Sequence, residues 1–234
     1  MNYLCTICAR KNSRGVKNKN FKILNGIPLI GHTILQAKKS KIFSNIVVST
    51  DSNKIIDISK KFGVEYCFKR SKRLSSGTIS KIPVIQDATK MAEKYFRKKF
   101  DIIIDLDVTA PLREIEDIKK AVRKFLKTNS DILFSVCKSK KNPYFNMVEE
   151  INKKVMLVKR TAKKISNRQK TPKVYDMNAS IYIWKRLTLF KKEENLFLKK
   201  TSIYEMPQER SIDIDSMYDW KLTKFLIKKN EILK

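Results

Sequence analysis

Short runs of β-branched and aromatic residues alternate with longer amphipathic segments along most of this chain, and this alternation constrains its fold more than any other feature. Such alternation is typical of a largely parallel sheet with helices on both faces, so we expect an α/β fold. The predicted strands span 3–9, 45–50, 64–68, 101–106, 131–137, 179–184 and 201–206. The predicted helices span 27–39, 52–62, 81–97, 114–127 and 216–229.

The alternation breaks after residue 137. Residues 142–159 resemble two short strands joined at "INKK", and residues 160–174 form a polar, basic connection. We interpret 138–175 as an excursion from the sheet that serves as a lid or a dimerisation arm. Because a chain of 234 residues can bury one substantial core, we expect 1–234 to form a single domain that carries this excursion.

The chain is strongly basic, with 52 Lys and Arg against 23 Asp and Glu and a formal net charge of +29. That sign would attract nucleic acid, a membrane surface or phosphorylated metabolites. The lysines recur on nearly every predicted helix, whereas a protein that reads nucleic acid should concentrate its cations on one face. We therefore attribute most of the surplus to composition and predict no nucleic-acid or membrane partner. A basic nucleic-acid-binding protein is the alternative from a different class.

The apolar runs and the cysteines indicate a cytoplasmic protein. The apolar run from Tyr3 to Ala9 is too short for a signal sequence, and no run approaches the roughly 18 apolar residues that span a membrane. Cys5 and Cys8 have a C-x-x-C spacing, but there is no second pair, and a strand would direct the two thiols to opposite faces. We interpret both as buried apolar residues.

The loop after the first predicted strand is a candidate phosphate site, because ligands of open α/β sheets bind beyond the carboxyl ends of the strands. The stretch "CARKNSRGVKNKNF", residues 8–21, contains several Lys and Arg and no carboxylate. Backbone N–H groups in such a loop can hold phosphate, with Gly15 as the flexible point. Arg10, Arg14, Lys17 and Lys19 could neutralise a triphosphate. From the residues alone, a solvated basic loop fits equally well.

The segment "SIDIDS", residues 211–216, is a candidate metal site. Asp213 and Asp215 alternate on an extended segment, which places both carboxylates on one side, within reach of a single hard cation. The competing interpretation is a pair of surface and capping aspartates, since Asp215 stands just before a helical pattern. The residues alone leave these two interpretations balanced.

A third candidate is "LDVTAPLR", residues 106–113, in which acidic residues end a buried strand and a tight turn follows. Thr109 and Pro111 form the turn, and Arg113 precedes a helix that begins with acidic residues. The spacing by itself indicates no more than ordinary turn chemistry.

Taken in order, these motifs resemble the cytidylyltransferases that make CMP-activated nonulosonic acids, namely the CMP-sialic acid synthetases and their bacterial relatives acting on legionaminic acid. The resemblance runs almost end to end, through "ICARKNSRGVKNKN", "NGIPLIGHTI", "IVVSTDS", "LDVTAPLR", "NASIYIW" and "SIDIDS". It implies a Rossmann-like nucleotide-diphospho-sugar transferase fold. It also implies transfer of CMP from CTP to the anomeric hydroxyl of an acidic nine-carbon sugar, with Mg²⁺, releasing pyrophosphate, for surface glycans or flagellin glycosylation.

The resemblance also implies roles for the residues that match its motifs. The implied catalytic residues are Asp215, Arg10 and Lys19, with Asp215 organising the attacking hydroxyl. The implied nucleotide-binding residues are Arg10, Ser13, Arg14, Lys19, Asn20, Arg70, Ser80 and Asp107. The implied sugar-binding residues are Arg168, Gln169 and Asn178, and the implied metal ligands are Asp213 and Asp215.

Departures from the family pattern bear on the substrate. Asp107 stands where sialic-acid enzymes usually carry Gln, and "NAS" replaces "NGA"; both favour the legionaminic branch. A metal contact by Asp107 is a further hypothesis.

The resemblance implies a homodimer, and an enzyme of the same fold acting on another sugar acid is the alternative among enzymes. His32 is interpreted as structural, because phosphoryl transfer depends on positioning and charge neutralisation, which require no imidazole.

Overall fold

The computed structural model describes residues 1–12, 15–160, 167–191 and 195–229, with the backbone alone at 168, 228 and 229. The strands are β1 (Tyr3–Ala9), β2 (Ile23–Leu24), β3 (Ile27–Pro28), β4 (Asn45–Thr50), β5 (Tyr66–Lys69), β6 (Ile102–Leu106), β7 (Ile132–Lys138), β8 (Val148–Ile151), β9 (Lys154–Leu157), β10 (Tyr175–Lys185) and β11 (Thr201–Glu205). The helices are α1 (Leu29–Ser40), α2 (Asn53–Lys61), α3 (Lys81–Phe96), α4 (Ile115–Lys127), α5 (Arg186–Leu189) and α6 (Met217–Lys229).

A seven-stranded sheet with the order β11-β7-β10-β6-β1-β4-β5 forms the centre of the fold. Every neighbouring pair is parallel except those of β10, which runs antiparallel to both β6 and β7. The expected α/β fold with a mostly parallel sheet is therefore confirmed. Because β10 enters from the opposite direction, its first residues lie where β7 ends, with Tyr175 opposite Lys138. The start of β10 thus joins the carboxyl edge where ligands bind.

Two apolar clusters cover the two faces of the sheet. One includes Ile30 of α1, Phe125 of α4 and Trp220 of α6, and the other includes Ile85 and Ala88 of α3. Helices therefore pack on both faces, as the alternating pattern predicts. No helix in the described ranges has both the length and the apolar character needed to cross a bilayer.

The interpretations of Cys5 and His32 as buried residues are confirmed, whereas Cys8 is only partly buried and lines a cavity. Cys5 belongs to the first cluster and Cys8 packs against the second, so the two thiols point to opposite faces. His32 is fully buried in α1, and its Nε2 lies 2.8 Å from the carbonyl oxygen of Leu24. Burial lowers the pKa of this imidazole, despite the backbone hydrogen bonds that raise it. A neutral, buried imidazole is a structural element.

The excursion after β7 contains the two short strands that the sequence predicts. Strands β8 and β9 form an antiparallel hairpin that is a sheet of its own, with Val148 opposite Leu157. Residues 161–166 of the predicted polar connection lie outside the described part of the chain. The sequence did not predict the β2–β3 hairpin or α5, because two-residue strands and a four-residue helix carry no periodic signal.

Candidate active site

A cavity of about 730 Å³ opens at the carboxyl edge of the sheet. Loops that follow β1, β5, β6 and β11 contribute to its wall, together with the start of α3. Eight residues to which the resemblance assigns a role line this one cavity: Arg10, Lys19, Asn20, Arg70, Ser80, Asp107, Asp213 and Asp215. Segments that are far apart in the chain are thus brought to one concave surface.

The basic loop after β1 is fastened to the acidic segment after β11. Lys19 is buried, and its ammonium donates to the backbone carbonyl of Ile214 and lies 3.3 Å from Oδ1 of Asp215. The amide nitrogen of Asn20 donates to the carbonyl oxygen of Arg10 at 2.7 Å, which fixes the start of the loop. Lys19 and Asn20 are therefore a buried part of the cavity wall, and the interpretation as a freely solvated loop is wrong for these two residues.

Gly15 lies directly against the acidic segment. A Cβ atom placed on Gly15 would overlap the backbone carbonyl of Asp215. The close approach of the two segments is sufficient reason that a side chain does not fit here.

The two aspartates of the acidic segment have different environments. Asp213 is partly buried, and its Oδ1 is a buried atom with no hydrogen-bond partner among the residues that the structure describes. Burial, followed by the charge of Asp107, raises the pKa of Asp213 to about 6. The side chain of Asp215 is 80% exposed. Between them, the backbone nitrogen of Ile214 donates to the carbonyl oxygen of Thr109 at 2.9 Å, which ties this segment to the turn after β6.

The helix α6 is capped by other residues than Asp215. Oδ2 of Asp219 accepts hydrogen bonds from the backbone nitrogens of Asp215 and Ser216, at 3.1 and 2.7 Å. The hydroxyl of Ser216 accepts from the backbone nitrogen of Asp219 at 3.2 Å. This reciprocal pair has the form of a capping box. The carboxylate of Asp215 is left facing the cavity, so the capping interpretation of Asp215 is wrong.

Lys81, at the start of α3, is a cavity residue that the sequence analysis missed. Its Nζ lies 2.6 Å from Oδ2 of Asp107 and 2.8 Å from Oδ2 of Asp105. The contact with Asp107 is a well-formed hydrogen bond, whereas Oδ2 of Asp105 lacks hydrogen-bond alignment with any described donor and is an ion-pair contact only. Oδ1 of Asp107 accepts from the backbone nitrogen and the hydroxyl of Thr109, at 3.1 and 3.0 Å. Both oxygens of Asp107 therefore have partners within the protein.

The charges of this group reinforce each other. Burial would raise the pKa of Asp107, but the ammonium of Lys81 and the hydrogen bonds from Thr109 outweigh burial and lower it to about 2. Burial likewise opposes the charge of Lys81, yet the two aspartates hold the pKa of Lys81 well above its usual value. Asp107 is a carboxylate and Lys81 an ammonium throughout the physiological pH range.

Two buried arginines have different functions. Arg70 lines the cavity, its Nε lies 3.3 Å from the hydroxyl oxygen of Ser75, and no carboxylate in the described ranges forms an ion pair with it. A buried cation without a paired carboxylate is suited to bind an anionic or acceptor group of a ligand. Arg113 is fully buried and instead holds the turn after β6 to β10, donating to the carbonyl oxygen of Ser180 at 2.6 Å.

A second cavity, of about 550 Å³, adjoins the first at Asp213, which lines both. Asn178, at the start of β10, lines this second cavity and is buried. Its amide nitrogen donates to the hydroxyl of Ser211 at 2.9 Å, and its Oδ1 accepts from the hydroxyl of Ser135 at 2.6 Å. Asn178 thus links β7 and β10 to the segment that carries the acidic pair.

Gln169, which the resemblance assigns to the sugar, lies outside both of these cavities. Gln169 is exposed and lines a separate cavity of about 540 Å³, together with Asn142 and Tyr175. Ser13 and Arg14 lie outside the described residues, as does the side chain of Arg168. Within the described ranges, no three carboxylate, imidazole or thiol side chains come close enough to form a metal cage by themselves.

A cavity at the carboxyl edge of a mostly parallel sheet, with cations and carboxylates from separate loops, defines a nucleotidyltransferase class of enzyme. Residues 4–233 match the Cytidylyltransferase family, and the chain belongs to that family.

Individual relatives agree with this assignment. Post-translational flagellin modification protein B of Campylobacter coli is 46% identical over 229 residues, which cover 98% of this chain and 96% of the relative. The CMP-N,N'-diacetyllegionaminic acid synthase of Campylobacter jejuni is 45% identical and covers 96% of this chain and 94% of its own. A solved CMP:2-keto-3-deoxy-manno-octonic acid synthetase, complexed with CTP, has the same fold, with a TM-score of 0.67 at 13% identity over 98% of this chain and 99% of its own.

Proposed function

We propose that this enzyme transfers CMP from CTP to the anomeric hydroxyl of a nonulosonic acid and releases pyrophosphate. The observation that carries the proposal is that the basic loop after β1 and the acidic segment after β11 line one cavity and are joined by Lys19. In the reaction, the hydroxyl oxygen forms a bond to the α-phosphorus, the bond from that phosphorus to the leaving pyrophosphate breaks, and the hydroxyl loses its proton. Such a reaction needs positioning and charge neutralisation more than covalent help.

The triphosphate and the base are assigned to the side of the cavity that contains the cations. Arg10 and Lys19 neutralise charge at the phosphates, and the planar guanidinium of Arg10 suits paired contacts with phosphate oxygens. Asn20 holds the loop through the carbonyl oxygen of Arg10. Arg70 and Ser80 line the part of the cavity next to α3, where we place the nucleoside. Ser13 and Arg14 are included in the phosphate-binding loop on the family resemblance alone.

The residues present fit a magnesium ion. Asp213 has a buried oxygen atom without a partner among the described residues, and Asp215 offers an exposed carboxylate two residues later. Mg²⁺ is typically held by one or two carboxylates, substrate phosphates and water, so the lack of a complete cage in the described part of the chain agrees with this ion. When bound, it would offset charge on the phosphate oxygens. Asp215 is assigned to organise the attacking hydroxyl.

The sugar acid is assigned to the second cavity, which adjoins the first at Asp213. Met177, Ile212, Leu222 and Leu226 line part of it. Such apolar side chains suit the methyl groups of a diacetylated sugar better than a chain of hydroxyls. Two relatives named for N,N'-diacetyllegionaminic acid support the same choice. Legionaminic acid is therefore the preferred substrate, with Asn178 as part of its site.

A homodimer would complete this assignment. The hairpin β8–β9 presents Val148 and Val155 on one face, and they are 63% and 68% exposed. Apolar side chains exposed together on an excursion are typical of a surface that a partner covers. The Gln169 cavity lies apart from Asp213 in a single chain. Arg168 and Gln169 are assigned to the sugar on the family resemblance alone.

The dimer is tested by placing a charge on this face. We expect Val155→Lys to convert a dimer to a monomer in size-exclusion chromatography with light scattering, because the interface would have to desolvate a charged ammonium. Glu149→Lys, on the opposite face of the hairpin, is the matched control and should remain a dimer. A Val155→Lys variant that stays dimeric would contradict the proposed interface.

The activity is tested by pyrophosphate release with CTP, Mg²⁺ and a panel of acids: N,N'-diacetyllegionaminic acid, pseudaminic acid, N-acetylneuraminic acid and 2-keto-3-deoxy-manno-octonic acid. We expect release only when CTP, the metal and an acid are present together, and fastest with legionaminic acid. A cytoplasmic location, where CTP is available, belongs to this proposal. Release with none of the acids, or salt-sensitive binding to nucleic acid in its place, would refute the proposed function.

A further inference from the structure

Lys81 is held in a single position by two carboxylates at the floor of the nucleotide cavity. Its side chain is 32% exposed, while Asp105 is fully buried and Asp107 is 20% exposed. The hydroxyl of Thr6 donates to Asp105 at 2.7 Å, which fixes that carboxylate from the other side. The ammonium of Lys81 also lies 4.9 Å from the ring centre of Tyr182, on β10. A lysine held on three sides is a rigid element, unlike the many solvated lysines of this chain.

The group formed by Lys81, Asp105 and Asp107 is not suited to bind an anion. One ammonium stands against two carboxylates, so Lys81, Asp105 and Asp107 together carry a net charge of minus one, whereas Arg10 and Lys19 elsewhere in the cavity are suited to the triphosphate. A phosphate or a substrate carboxylate would be repelled here. The exposed edge of Asp107 can instead accept a hydrogen bond from a neutral donor, because a carboxylate oxygen has more than one acceptor site.

The sheet order places Asp107 between the two halves of the site. Asp107 follows β6, which lies between β1, whose loop carries Arg10, and β10, whose start carries Asn178. Oδ1 of Asp107 accepts from Thr109, and the carbonyl oxygen of Thr109 accepts from the backbone beside Asp213. Asp107 therefore lines the nucleotide cavity and is linked through Thr109 to the segment of Asp213, the residue that this cavity shares with the acceptor cavity.

We propose that Lys81 is a positioning residue that orients Asp107 to accept a hydrogen bond from a neutral donor of the acceptor sugar, a hydroxyl or an amide N–H. This inference rests on the proposed function and moves Asp107, which the sequence grouped with the nucleotide, to the boundary with the acceptor. Lys81 acts through Asp107 and makes no contact of its own with the sugar. A sugar that lacks a donor at this point is rejected, because it would leave the carboxylate desolvated and unpaired.

A double-mutant cycle tests this arrangement in the full-length enzyme. The variants are Lys81→Met, Asp107→Asn and the two combined, with kcat and KM measured separately for CTP and for N,N'-diacetyllegionaminic acid. Each single change should lower kcat/KM for the sugar about 30-fold, and the double change should be no worse than Asp107→Asn alone, because coupled residues are not additive. The KM for CTP should change less than about 3-fold, within the range of independent sites.

Controls separate positioning from folding. Lys94→Met, an exposed lysine on the same helix, should match the unchanged enzyme. Because Lys81→Met leaves Asp105 buried beside an apolar side chain, Lys81→Met with Asp105→Asn provides a second variant, and it should fold and show the same loss toward the sugar. Three outcomes would overturn the inference: single effects that are strictly additive, a loss of kcat/KM confined to CTP, or failure of both variants to fold. In each case the activity of the unchanged enzyme would still support the proposed function. An unchanged enzyme without activity would overturn both.

Discussion

Replacing Asp215 with Ala is expected to lower kcat about 1,000-fold while the fold stays intact. The carboxylate is 80% exposed, and its ion pair with Lys19 spans 3.3 Å, so the loss of this pair should cost at most about 1 kcal/mol of folding stability. In the reaction it is assigned both to the metal and to the attacking hydroxyl, and loss of such charge stabilisation is worth several kcal/mol of barrier. A difference of about 4 kcal/mol corresponds to the expected factor.

The measurement is pyrophosphate release across a magnesium titration, with circular dichroism and thermal unfolding on the same samples. Asp57→Ala removes an exposed carboxylate of α2, which does not line the cavity, and should leave the rate unchanged. Asp213→Ala should also raise the magnesium concentration needed for half-maximal rate, since its unpartnered oxygen is the buried atom that we assign to the metal. Near-normal turnover of the Asp215 variant would disprove its role.

Much of the fold can be predicted from local pattern. Within "DIIIDL", Ile102–Leu106 form the fully buried β6, and "NIVVST" forms β4 at Asn45–Thr50, because apolar β-branched runs between helical segments satisfy both faces of a covered sheet. The direction of β10 could not be predicted in this way. A strand pattern has the same appearance in either direction, and only the excursion before β10 determines the edge from which the chain returns.

Site residues that directly follow strands could be predicted from the sequence. The residue that belongs to the site through its contact with a buried carboxylate was missed. Arg10, Asp107 and Asp213 all follow strands, and the rule for open sheets selects them. Lys81 stands at the start of a predicted helix in a chain with many lysines, so nothing in the local sequence distinguishes it. A signal did exist: Asp105 stands inside an apolar strand, and a fully buried carboxylate needs a partner. Spacing alone could not identify that partner.

The position of Gln169 shows a second kind of feature that the sequence does not predict. The sequence groups it with the sugar, yet in a single chain it lines a cavity apart from Asp213. Its place depends on how an excursion from the sheet folds back, or on a second subunit. Both depend on tertiary contacts that no periodic pattern encodes.

Replacing Gly15 with Ala is expected to lower kcat/KM about 100-fold without unfolding the enzyme. The new methyl group would overlap the backbone carbonyl of Asp215, and backbone atoms of both segments would have to move apart. Lys19, which donates to the carbonyl oxygen of Ile214, would be drawn away from the acidic pair with them. Misplacement of catalytic groups by about 1 Å is enough for a loss of this size.

The matched control is Gly26→Ala, in the turn between β2 and β3. Gly26 has a φ of +80°, so alanine there is strained, yet its Cβ would meet no described atom within 4 Å. This control should lose about 1 kcal/mol of stability and keep its activity. Thermal unfolding measures the loss of stability, and pyrophosphate release measures the activity. Comparing the two glycine variants should therefore separate an effect on stability from an effect on catalysis. If Gly15→Ala lost stability in the same way and retained its rate, the close approach of the basic loop to Asp215 would have no catalytic importance, and the shared cavity would no longer explain why these two segments are fastened together.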